Sequence, residues 1–136
     1  MNDVSVILKR FEAPDEIRRF EKGKFEIVHL GGTTIGRATY EPGWKWSDHV
    51  GPGVGQARCS VEHVGLVLSG TATAAFDDGT VYELKPGQLF YIPAAPHDSW
   101  VVGDREIRVA SFSQRRRLRN EVDDQSRGQA FDFAKV

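Results

Sequence analysis

The stretch Glu62-His63-Val64-Gly65-Leu66-Val67-Leu68-Ser69-Gly70 sets a histidine into an otherwise apolar, β-type run that stops at a Ser-Gly turn. Histidine is a poor filler for a buried strand, because both ring nitrogens need partners and a strand interior has few to spare. A metal ion is one partner that suits a neutral imidazole. Outward from His63, the chain breaks into short runs of the same kind. Residues 4–8, 24–30, 33–41, 58–68, 71–76, 80–84, 89–92, 99–102 and 106–112 read as strands rich in β-branched and aromatic residues.

The punctuation between these runs has the chemistry of turns. Asp77-Asp78-Gly79 is a hairpin signal, and Lys85-Pro86-Gly87-Gln88 suits a type II turn. Gly31-Gly32 is a turn, Pro42-Gly43 breaks a strand, and Gly36 suggests a bulge. Pro14, followed by Asp15 and Glu16, with Ile17 and Phe20 three apart, predicts a short N-terminal helical turn ended by Gly23. Residues 44–55 carry Trp44, Trp46 and the run Gly51-Pro52-Gly53-Val54-Gly55, which reads as a loop or wide bend. Pro93-Ala94-Ala95-Pro96 forms a rigid corner directly before His97. Nine or ten short strands, with turn signals every 8–12 residues, predict an all-β sandwich or barrel rather than a parallel α/β sheet.

A chain of 136 residues is expected to form one domain, 1–136, and to bury a core without disulfides. The core is expected at about 25–112, with a charged tail at 113–136 whose order and role stay open. The net charge of −1 argues for neither nucleic acid nor membrane as a partner. The single cysteine, Cys59, excludes a disulfide within the chain and a cysteine-based zinc cluster. That usage suits a reducing, cytoplasmic setting. No signal peptide is expected at the N-terminus, and no apolar run approaches the roughly 20 residues that span a bilayer.

Of the four histidines, His29 has nothing site-like near it and reads as an ordinary hydrogen-bonded residue. His49 follows the Gly- and Trp-rich turn, His63 lies on its strand, and His97 follows the Pro-rich corner. A barrel can aim all three inward at one point. Three neutral imidazoles suit zinc or ferrous iron and leave coordination positions open to water or substrate.

From residue 43 to 100 the chain resembles the cupin superfamily. Its first motif runs Gly, five residues, His-x-His, three or four residues, Glu, six residues, Gly. Here Gly43 precedes His49 by five intervening residues, and His63, at the glutamate position, precedes Gly70 by six. The second motif runs Gly, five residues, Pro-x-Gly, two residues, His, three residues, Asn. Gly87 and Pro93 match, and His97 follows with one residue fewer and Ala95 in place of glycine. The second histidine of His-x-His falls at Gly51, and residues 51–59 read as an insertion. The string from Glu41 to Val50, with His97-Asp98-Ser99-Trp100, also looks like small single-domain bacterial cupins.

The resemblance implies a double-stranded β-helix, or jelly-roll barrel, with His49, His63 and His97 as metal ligands and the fourth ligand unassigned. It implies a divalent ion, Fe2+ or Zn2+ before Mn2+ or Ni2+. It also implies a homodimer, with residues 4–8 as an edge strand to exchange. Two functions stay open: a metal-dependent enzyme on a small organic substrate (a dioxygenase, hence an oxidoreductase, or an isomerase or lyase), and a non-catalytic ligand-binding or sensory module. Asp48, Gln56, Cys59, Glu62 and Asp98 are further candidates near the site. Strand alternation turns Glu62 away from His63. Asp48 and Asp98 adjoin histidines whose second N–H they could accept. Cys59 reads as a soft ligand, a reactive thiol or a small buried hydrophobe. Arg58 and Lys45 are candidates to hold a substrate carboxylate.

Overall fold

The structure is a computed structural model that describes residues 5–114. Its elements in chain order are β1 (Glu16–Phe20), β2 (Gly23–Leu30), β3 (Thr33–Tyr40), α1 (Trp46–His49), α2 (Gly51–Val54), β4 (His63–Ser69), β5 (Ala72–Phe76), β6 (Val81–Leu84), β7 (Leu89–Ile92), β8 (His97–Asp98) and β9 (Ile107–Gln114). The strands form a six-stranded sheet in the order β1-β2-β3-β9-β4-β7 and a three-stranded sheet in the order β6-β5-β8. Every pairing is antiparallel. Isolated bridges at Lys45–Trp100, Cys59–His97 and Ala72–Val101 extend the smaller sheet.

The turns form where the residues dictate. The β2–β3 hairpin closes through Gly31-Gly32, with Leu30 opposite Thr33 and Gly31 at φ 59°. Asp78 accepts the Thr80 N–H at 2.9 Å while Gly79 takes φ 95°, and β5 folds back onto β6. Between β6 and β7, Gln88 N–H donates to Lys85 O at 3.1 Å over a Gly87 with φ 87°, the conformation a type II turn requires. Gly70 turns the chain at φ 77°, and a Cβ there would strike the Glu106 carbonyl. Gly70→Ala should therefore destabilise the protein by at least the roughly 1–2 kcal/mol of the left-handed conformation, read as a lower urea midpoint.

Four sequence expectations are corrected. Residues 16–20 form β1, not a helical turn, because they lie in full register against β2, from Glu16–Ile27 to Phe20–Gly23. The short helical elements sit instead at α1 and α2, inside the segment expected to be loop. Pro52 occupies the first turn of α2 and Gly55, at φ 71°, ends it. Of residues 4–8, those within the described range form no strand, since none of the described strands pairs with them. Gly36 marks no bulge: the β2–β3 ladder runs through it unbroken, and the Phe25 ring lies where its side chain would be. The tail beyond residue 114 lies outside the described residues.

The inner face of the large sheet carries Phe25, Ile27, Ala38, Tyr40, Val67, Ile107 and Val109. They pack against Trp44, Trp46, Cys59, Ala72 and Val101 from the smaller sheet and its approaches. Alternation supplies this inner set from each strand, while Glu26 and Val28 on the other face of β2 are buried as well. On the outer side of β2 and β3, buried Glu26 accepts from Arg37 Nε at 2.8 Å. Arg37 also meets Glu12 at 3.1 Å and lies 5.0 Å from the Phe11 ring centroid, so the N-terminal segment covers that part of the sheet.

Candidate metal centre

Three elements bring side chains to one point. His63 opens β4 opposite the buried Ile92, on the same inward face as Val67. His97 opens β8 opposite Phe76 of β5, whose ring lies 5.6 Å from its own. Cys59 stands directly opposite His97, and the pair exchanges both backbone bonds, N–H to O at 2.9 Å each way. Directly opposed residues place their side chains on the same side of a ladder. Only three residues, Ser60, Val61 and Glu62, then separate Cys59 from His63.

The donor atoms of Cys59, His63 and His97 all lie within 4.8 Å of one another. Cys59 Sγ is 3.4 Å from His63 Nε2, and the two imidazoles meet edge to face with centroids 5.3 Å apart. Cys59 and His97 are each 2 % exposed, and His63 is partly buried. The set fits a borderline ion. A sulfur at about 2.3 Å and a nitrogen at about 2.0–2.1 Å on a tetrahedral ion stand roughly 3.5 Å apart, close to the separation of Cys59 Sγ and His63 Nε2.

The protonation states suit ligation. Ala95 O lies 2.9 Å from His97 Nδ1, so that nitrogen carries the proton and Nε2 keeps its lone pair. Burial and the neighbouring His97 push His63 down to about 3. Burial lowers His97 as well, against the opposing effects of the Ala95 carbonyl and Asp98. Both rings are thus neutral, the form a metal requires. Below the ordinary histidine value of about 6.5, the unfolded metal-free chain binds more protons than the folded one. Its stability should be complete above that pH and fall as the pH drops towards 3. Urea titrations across this range check it, and His63→Asn should flatten the slope.

The structure brings His63 and His97 together and leaves His49 outside their group. His49 folds back on its own helical turn: Lys45 N–H donates to its Nδ1 at 3.0 Å, and its Nε2 faces Glu21 at 3.9 Å. His29 is exposed, with Nδ1 3.2 Å from Thr34 Oγ1. Asp98 is buried but serves α1, accepting from Ser47 N–H, Ser47 Oγ and Ser99 N–H. Ala95, not an aspartate, orients His97. Glu62 accepts from Tyr91 O–H at 2.8 Å on the outer face, as alternation requires. Asp48 and Gln56 are exposed. Arg58 is paired to Asp77, and Lys45 Nζ lies 5.5 Å over the Trp100 ring.

Cys59 is the residue that spacing from Gly43 passes over. Counted from Gly51 instead, the chain reads Gly51, five residues, Ala57-x-Cys59, three residues, His63, six residues, Gly70, with no insertion. Cys59 then stands at the second histidine position of the first motif. Gly51 is buried, and a Cβ on it would strike the Gln56 carbonyl, so it has a structural reason to be glycine.

Neither a family model nor a curated protein sequence matches the chain. Solved structures do. A protein of unknown function from Rhizobium leguminosarum is 21% identical with a TM-score of 0.52, over 68% of this chain and 81% of that one. A sugar phosphate isomerase of the cupin superfamily from Silicibacter pomeroyi is 16% identical with a TM-score of 0.53, over 74% and 71%. An oxalate decarboxylase from Lactobacillus farciminis is 17% identical with a TM-score of 0.51, over 71% of this chain but 30% of its own. At such identities the likeness is one of fold.

Proposed function

We propose that this chain, whose fold is that of the cupin superfamily, binds one divalent metal ion through Cys59, His63 and His97 and acts as an enzyme on a small organic molecule. The observation that supports this best is the convergence of one thiol and two neutral imidazoles within 4.8 Å. A bound ion would supply Lewis acidity, polarising an oxygen of the substrate; ferrous iron would direct this to dioxygenase chemistry, and zinc to isomerase or lyase chemistry. The chain's own contribution is to hold the ligands. The Cys59–His97 backbone pair fixes two of them, and the Ala95 carbonyl fixes the ring of His97. With three protein ligands, positions remain for substrate.

The runner-up, a non-catalytic ligand-binding or sensory module, draws on the near-complete burial of Cys59 and His97. Elemental analysis of protein purified without chelator separates the cases. A stoichiometric redox-active metal supports the enzyme. Absence of any bound transition metal, after purification and after reconstitution, refutes the metal reading.

The same proposal includes a homodimer. The outer face of β4, β7 and β9 presents Val64, Leu68, Leu89, Tyr91 and Phe112 to solvent, with Leu89 77 % exposed. Their register joins them: Val64 lies opposite Tyr91, and Leu66 opposite both Leu89 and Ala110. Val6 and Leu8 are also largely exposed. Sedimentation should report twice the chain mass, and Leu89→Asp should shift it to the monomer.

A further inference from the structure

Among the described residues, the hydroxyl of Tyr40 and the indole Nε1 of Trp44 are buried donors without a hydrogen-bond partner. The residues are 5 % and 1 % exposed and stack on each other with ring centroids 4.0 Å apart and planes 25° apart. They share the interior cluster that contains Cys59. Tyr40 projects from the inner face of β3, opposite Ile107, and Trp44 follows the Pro42-Gly43 turn. Thr39 Oγ1, also without a partner, belongs to the other face of β3 and is not part of this pair.

Native proteins satisfy nearly all buried polar groups, and each exception calls for an explanation. An indole N–H can only donate, and a phenol O–H donates readily. Burial drives the Tyr40 phenol upwards, so the hydroxyl keeps its proton and remains a donor.

We infer that Tyr40 and Trp44 form the second anchor of the substrate site, donating to an acceptor oxygen, such as a carboxylate, of a molecule whose other end reaches the Cys59–His63–His97 centre. This rests on the metal reading and narrows it to substrates carrying oxygen acceptors at both ends. An apolar or singly functional ligand would leave both donors unmet.

The test uses the full chain loaded with Co2+ and follows its visible spectrum during titration with acetate, malonate, succinate and glutarate. The expected result is that at least one dicarboxylate binds more tightly than acetate. Tyr40→Phe and Trp44→Phe should then each weaken that dicarboxylate by about 10- to 100-fold, the worth of a hydrogen bond to a charged acceptor, and leave acetate unchanged. Tyr40→Phe should also leave the ligand-free protein as stable as before. Equal dicarboxylate affinity in wild type and both variants overturns the anchor, as does a loss of ligand-free stability in Tyr40→Phe without a loss of affinity. Failure of every dicarboxylate to exceed acetate also overturns it, with the metal reading left standing. A chain that takes up no Co2+ overturns both.

Discussion

Cys59→Ala should weaken metal binding by more than a hundredfold, and His49→Ala should leave it intact. The contrast follows from where the two side chains lie. Cys59 Sγ sits 3.4 Å from His63 Nε2 and shares a ladder position with His97. His49 spends Nδ1 on the Lys45 N–H and turns Nε2 towards Glu21. Losing a partner that merely orients a ligand already weakens metal binding 10–100-fold, so losing a coordinating atom should exceed that. His63→Ala and His97→Ala should behave like Cys59→Ala. Competition against a chromophoric chelator measures all four. Binding that is unimpaired in Cys59→Ala but lost in His49→Ala would restore the three-histidine set and remove the thiol from it.

The second large effect is expected in the fold itself. Phe25→Ala should destabilise the protein by about 3–5 kcal/mol, the usual cost of truncating a buried aromatic. Phe25 is fully buried, and its ring covers Gly36 on the neighbouring strand. Since a backbone ladder in full register holds the two strands, little can move in to fill the void. Urea unfolding should show a lower midpoint at unchanged slope. A loss under about 1 kcal/mol would mean that the barrel interior collapses around the gap.

These expectations divide between what the sequence made legible and what it did not. The hairpin at Asp77-Asp78-Gly79, the turn at Pro86-Gly87 and strand β7 were readable because their signals are local: glycines at positive φ with fixed neighbours. The all-β sandwich or barrel followed from the rhythm of those turns, and its jelly-roll form from the resemblance to the cupin superfamily. Residues 16–20 misled because Pro14 and two acids favour a helix start, yet β2 offers an edge that a single turn of helix cannot match. Residues 5–8 have strand composition but no pairing partner among the described strands, and composition alone does not make a ladder.

Two members of the candidate centre, His63 and His97, were legible because a histidine in an apolar strand or after a proline corner needs a reason. Cys59 was one of five further candidates and was not chosen among them, since a lone cysteine is usually a small buried hydrophobe. What distinguishes it is its backbone pairing with His97, a contact across 38 positions that no local pattern carries. Both Gly43 and Gly51 have a residue of interest at a plausible distance, and it is this contact that favours counting the motif from Gly51.

X-ray absorption on the zinc-loaded protein tests the central claim most directly. A centre built from Cys59, His63 and His97 predicts one sulfur at about 2.3 Å and nitrogen scatterers at about 2.0–2.1 Å, with the sulfur shell absent in Cys59→Ala. A shell of nitrogen and oxygen alone in the wild-type protein would contradict it.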